Sequence, residues 1–215
     1  MKKEIILTPE ELYFMGTQLQ AKYIDYAYVA AMGDIQQRRG IYESESIMNL
    51  AQKGLLMEDF SGDVEIMPLA RKILEPVFFG ELESSIEIAS VLTSGKKVIQ
   101  QKRFHFYEDR ITAVTMQEDG VHLELADEAQ LKEWITSILP KGYYANEVEV
   151  PAEALDMKWV SRILAVKSNR VGQRAAVEIY LEFAGVIFQE RQAGTARSLT
   201  KEKFVLEVLR GIKGE

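Results

Sequence analysis

Residues 111–140 read ITAVTMQEDGVHLELADEAQLKEWITSILP, and two kinds of element are legible in this one stretch. Ile111–Met116 and Val121–Leu125 are short β-rich runs, and Glu118-Asp119-Gly120 between them is a hairpin signal, because Asp-Gly readily takes the positive φ angles of a tight turn. Asp127 then stands where a helix N-cap belongs, with Gln130 three residues on as its capping-box partner. Leu131, Trp134, Ile135 and Ile138 fall on one face at helical spacing before Pro140 ends the run. A hairpin followed by an amphipathic helix needs a shared core, which predicts an α+β fold with helices packed on an antiparallel sheet.

Working outward, Ile86–Leu92 and Val98–Tyr107 precede the hairpin and complete an antiparallel meander. Downstream, Ala175, Val177, Ile179, Leu181 and Phe183 alternate, Ala184-Gly185 turns the chain, and Val186-Ile187-Phe188 returns. Thr200 caps a last helix with Leu199 and Phe204 as its staple and Val205, Val208, Leu209 and Ile212 on the buried face. The order hairpin then helix therefore occurs at Ile111–Leu139 and again at Ala175–Ile212, a pattern that suggests a pseudo-twofold repeat. The expected organisation is one α+β domain over 1–215 with quasi-symmetric halves at 1–140 and 141–215. A helix beginning near Pro151 and carrying Leu155, Trp159, Ile163 and Val166 is expected between the two hairpins.

The N-terminal end is specified locally. Thr8 as N-cap, Pro9 at the first helical position and Glu11 as the box partner start a helix, with Leu7 and Leu12 at the staple positions. Its apolar stripe runs Leu12, Met15, Leu19, Tyr23. A second helix is expected within Ile24–Ile35, ending near Gly33, then a polar loop over 36–40. From Ser44 a short helix with Ile47, Leu50 and Ala51 is stopped by Gly54. Leu55-Leu56, a polar turn over 58–62 and Val64/Ile66 follow, and Pro68 opens a helix bearing Leu69, Ile73 and Leu74. Helix, turn and strand in that order also fit a winged-helix domain.

Composition narrows the function classes. Among 215 residues there is no cysteine, which removes thiolate nucleophiles, disulfides and Cys-ligated zinc. The formal net charge of -7 disfavours nucleic acid and anionic membranes on average. Only three apolar residues follow Lys2-Lys3 before Thr8, too few for a signal h-region, and no run approaches a membrane-spanning length. A cytoplasmic location without membrane insertion is the expectation.

A search for chemistry comes back empty. His105 and His122 are the two histidines, each inside a predicted strand and neither in an HExxH or HxH spacing, so no metal site is expected. Ser94-Gly95-Lys96-Lys97 lacks the first glycine of a phosphate loop. Asp59, Ser61, Asp63 and Glu65 alternate like a calcium loop, but position six is Val64 and position twelve is Ala70, where glycine and glutamate are needed. With no serine-nucleophile motif and no dinucleotide fingerprint, the chain reads as a binding protein, not an enzyme, with no cofactor.

The opening LTPEEL (7–12), the segment KGLLMEDFSGDVEIMPLARKILEP (53–76) and the order meander, helix, second hairpin, helix together resemble the EspG family of type VII (ESX) secretion chaperones. The likeness extends to shorter Gram-positive relatives of the EsaE kind. It implies a quasi-symmetric α+β fold and a cytosolic chaperone or adaptor that holds helical secreted substrates in an export-competent state. The second hairpin, EFAGVIFQERQAG (182–194), departs from the mycobacterial members, and no motif residue transfers one by one. Independently, the stretch from Ser94 to Phe106 mixes Lys, Gln, Arg and aromatics, suited to holding a partner helix. Lys96, Lys97, Gln100, Gln101 and Arg103 are the expected partner-binding residues. The oligomeric state, homodimer included, is left open. The competing reading is a winged-helix transcriptional regulator, against which stand the acidic charge and a candidate recognition helix, Glu45–Lys53, with one basic residue.

Overall fold

The computed structural model describes residues 4–30, 32, 35–91, 97–191 and 194–215. They form two compact units. One comprises Met1–Glu81 with His105–Ala126, the other Leu82–Phe104 with Asp127–Glu215.

The first unit carries strand β1 (Glu4–Leu7), helices α1 (Pro9–Gln18), α2 (Tyr26–Val29) and α3 (Ile35–Gln52), the hairpin β2 (Leu56–Glu58) and β3 (Val64–Ile66), and helix α4 (Pro68–Phe79). The end of β5 (Lys97–Tyr107) follows, then β6 (Arg110–Gln117) and β7 (Gly120–Ala126). Strand β7 lies antiparallel between β1 and β6, pairing Leu123 with Ile5 on one side and with Val114 on the other. The capping box at α1 is formed in full: Thr8 Oγ1 accepts from the Glu11 amide and Glu11 accepts from the Thr8 amide. Leu7, Leu12, Met15, Leu50, Ile73, Leu74 and Leu123 are wholly buried in one cluster. Each such side chain contributes about 1.5–3 kcal/mol through its removal from water.

Three expectations change here. The α1 stripe ends at Leu19, and Tyr23 is exposed. The second helix shrinks to the four residues of α2, capped by Asp25 and anchored by buried Tyr28, whose hydroxyl lies 2.5 Å from His105 Nε2. The polar loop over 36–40 is instead the start of α3, since Gln and Arg are good helix formers and one glycine is tolerated when later turns pack.

The second unit holds β4 (Leu82–Val91), most of β5, helix α5 (Glu128–Ile138), β8 (Glu149–Pro151), β9 (Val160–Arg170), β10 (Ala176–Phe183), β11 (Val186–Arg191), β12 (Thr195–Ser198) and helix α6 (Lys201–Lys213). Its strands run in the order β5-β4-β9-β10-β11-β12-β8, with antiparallel registers from β4 to β8. The large antiparallel sheet with packed helices is the predicted α+β class. The capping boxes and turns of the sequence reading recur: Asp127 with Gln130 starts α5, Thr200 starts α6, and Ala184 and Gly185 both take positive φ between β10 and β11. In the Glu118-Asp119-Gly120 turn only Gly120 does so.

The helix expected from Pro151 is absent. Two single-turn 3-10 segments, Ala152–Ala154 and Met157–Trp159, lead directly into β9, and Trp159 is exposed. The spacing Leu155, Trp159, Ile163, Val166 suits a helix. The β-branched and contiguous apolar residues of ILAV (163–166) suit a strand between two neighbours, and pairing with both β4 and β10 decides it.

Candidate partner-binding face

The two faces of the second unit's sheet are built differently. On one, Ser84, Ile86, Leu164, Val166 and Tyr180 are buried. Helix α6 covers them: Tyr180 meets Phe204 edge-on at 5.7 Å, and the Ser84 hydroxyl donates to the Ile212 carbonyl at 2.5 Å. Helix α5 packs beside α6, and its Trp134 lies edge-on to Phe104 at 5.5 Å with the Lys102 ammonium over the indole. Burial pushes the Tyr180 hydroxyl far above its ordinary pKa, with Glu178 adding to the shift, so the phenol stays protonated and donates to Glu178.

Side chains alternate along a strand, so the neighbours of these residues point the other way. On β10 they are Val177, Ile179, Leu181 and Phe183, and the register places Ala165 beside Ile179, Ile163 beside Leu181, and Phe188 beside Leu181. Phe183 and Phe188 pack edge-on at 6.3 Å. None of these seven, from Ile163 to Phe188, is buried, and Val177 is 55 % exposed. No helix of this unit lies on that face among the described residues, because α5 and α6 both take the other. The result is an apolar band three strands wide.

A polar ladder borders the band. Glu87 on β4 accepts from Gln101 of β5 at 2.9 Å and from Lys167 of β9 at 2.8 Å, and Arg103 of β5 pairs with Glu83 at 3.1 Å. Ile99, 71 % exposed, continues β5 on the same side. Beyond the Tyr180–Gln189 pair β10 and β11 diverge, leaving an opening of about 580 Å³ lined by Val177, Ile179, Glu190 and Arg191.

Of the five residues expected to bind a partner, the fold brings Gln101 and Arg103 to this face. Gln100 is exposed but alternates to the side on which α5 lies, Lys97 opens β5, and Lys96 lies outside the described residues. The apolar band was missed. Its signal was present in the alternation from Ala175 to Phe183, which marks a strand with one apolar face without saying whether a helix covers it.

The arrangement suits adhesion better than bond making. Among the described residues no three His, Asp or Glu side chains converge to hold a metal ion. The charged groups of the ladder are already paired with one another, so nothing on the face stands out as a nucleophile or a base. No helix among the described residues is long and apolar enough to cross a membrane.

No protein-family model matches the chain, and no curated protein matches it in sequence. Among solved structures it is similar to the type VII secretion system chaperone EspG5 of Mycobacterium tuberculosis, solved in complex with the PE25-PPE41 dimer. The TM-score is 0.61 over 98 % of this chain and 94 % of that one, at 8 % sequence identity. The fold is thus EspG-like.

Proposed function

We propose that this chain is a cytoplasmic, non-catalytic carrier that holds a helical substrate of a type VII secretion system against the open sheet face of its second unit. In this reading it belongs with the shorter Gram-positive chaperones of the EsaE kind. The observation that carries the proposal is the apolar band of β9, β10 and β11 left without a helix, in a fold otherwise built like a secretion chaperone. An amphipathic helix laid on the band would bury Ile163, Ile179, Leu181 and Phe188 and reach the ladder at Gln101 and Arg103 with its polar flank.

Exposed apolar area of this kind is costly to leave in water and is commonly an interaction site. The ladder would then set register, since rim charges contribute more to specificity than to affinity.

The test is co-expression with the small helical proteins encoded beside the gene. A stoichiometric complex that survives purification, and that is lost in Leu181→Arg while the variant keeps its circular dichroism spectrum, supports the reading. Failure of every neighbour to co-purify defeats it, and an intact complex in Leu181→Arg moves the site elsewhere. Salt-dependent DNA binding in a shift assay would instead favour the winged-helix regulator, for which α3 and the β2–β3 hairpin supply the shape. In that case the one basic residue near the end of α3, Lys53, is already engaged by Glu11.

A further inference from the structure

Two carboxylates from different parts of the first unit meet on one imidazole. His122 sits on β7 opposite Ile6 of β1. Its Nδ1 lies 3.2 Å from Glu4 Oε1, and its Nε2 lies 2.8 Å from Asp119 Oδ1 in the β6–β7 turn. Its side chain is 15 % exposed. A carboxylate oxygen only accepts, so both contacts are hydrogen bonds only when both ring nitrogens carry protons.

We propose that His122 is a pH-operated clasp on the N-terminal strand: as imidazolium it ties Glu4 to the β6–β7 turn, and as neutral imidazole it keeps one of the two bonds and lets the start of β1 loosen. The strand is the part of the unit where such a clasp matters. Strand β1 has four residues, pairs with β7 on one side, and passes straight into Thr8, the N-cap of α1. Ile5 and Leu7 hold it from the core side, and the His122 clasp acts on the other face, at the end farthest from the helix cap.

Among the described residues, the charged groups around the ring all favour the closed form. Asp119 and Glu4 are in contact with it, Glu124 is two residues along the same strand and faces Glu4, and Glu118 is in the turn. Strand β6 offers Thr115 opposite His122 and no ionisable group there. Helices α1 and α4 belong to the opposite side, where Val121 and Leu123 are buried. Lys53, at the outer edge of β1, is held by Glu11 and the Ile6 carbonyl, and Lys2 and Lys3 lie outside the described residues. The hydrogen bond that the ring donates to Asp119 leads in raising the imidazole above its ordinary value of 6.5, with Glu4 adding to it and burial opposing.

The sign follows from that direction. A raised folded pKa means the clasp contributes fully below about 6.5 and is lost as pH rises through the higher folded value. An NMR titration of the whole chain should therefore find His122 above 6.5, lowered in both Glu4→Gln and Asp119→Asn. Amide protection factors in β1, corrected for intrinsic exchange, should fall about two- to five-fold from below to above that pKa, and stay flat in His122→Gln. A His122 pKa at or below 6.5 overturns the proposal. So does a wild-type profile that is flat, or one that His122→Gln reproduces.

Discussion

Lys53 Nζ lies 2.6 Å from the Glu11 carboxylate and 3.1 Å from the Ile6 carbonyl oxygen, so one ammonium joins the end of α3, the first turn of α1 and the outer edge of β1. Glu11 is 2 % exposed and also accepts from the Thr8 amide in the capping box. The same lysine thus neutralises a buried carboxylate and occupies a carbonyl on a strand edge that another chain would otherwise reach.

Removing that ammonium should hurt more than removing an ordinary surface lysine. Lys53→Met leaves Glu11 buried with a single hydrogen bond and is expected to lower stability by about 1–3 kcal/mol. Lys53→Met with Glu11→Leu should recover part of the loss, because the unpaired charge is then gone. Urea unfolding of the two single variants and the double reads the coupling directly.

Gly80 joins α4 to β4 at ordinary φ, so conformational freedom is not what it supplies. A Cβ there would run into the Pro76 carbonyl oxygen and sit 2.8 Å from the Phe106 carbonyl oxygen, both backbone atoms that cannot swing away. Gly80→Ala should cost about 1–3 kcal/mol, read as a lower urea midpoint with an unchanged slope.

Acid should weaken the contact between the second unit's helices. Lys132 of α5 and Lys213 of α6 hold the Glu128 carboxyl down at about 2, against an ordinary 4.5. A depressed folded pKa gives stability that is present above about 4.5 and lost as pH falls through about 2. Glu128→Gln should melt below wild type at neutral pH, and the gap should close in that acid window. A gap that persists unchanged at low pH would show that the two lysines do not act through this charge.

On the open face, fold and binding should separate. Leu181 is half-buried and no helix of its unit covers it among the described residues, so Leu181→Arg is expected to shift stability by no more than about 1 kcal/mol. The same substitution in the middle of an apolar contact should reduce affinity for a helical partner by at least about ten-fold. Arg103→Ala, at the margin, should mainly alter the salt dependence of association. Calorimetric titration with a co-purified partner distinguishes the two effects.

Local signals in the chain were reliable wherever a few neighbouring residues complete the interaction. The capping boxes at Thr8 and Asp127, the cap at Thr200, the stop at Gly54 and the Ala184-Gly185 turn all form as the residues predict. Each depends on contacts within about four positions, so the sequence carries it whole. The errors fall where the same residues satisfy two periods. ILAV (163–166) fits a helix face as well as a strand, and only pairing with β4 and β10 decides between them. The start of α3 is polar enough to suit a loop, yet it is helical in a helix whose later residues Tyr42 and Leu50 are buried.

The candidate site marks the same boundary. By itself the sequence determined that 175–183 is a strand with one apolar side, that β5 carries Gln101 and Arg103, and that the known catalytic spacings are missing. It could not determine which side of β10 a helix would cover. That choice went to the side of Tyr180, against which α6 packs Phe204, and it left Ile179, Leu181 and Phe183 open. Alternation fixes which residues share a face, but the face that becomes core is set by where distant helices land. Helix α6 lands there because its own apolar stripe, from Phe204 to Ile212, has to be buried somewhere.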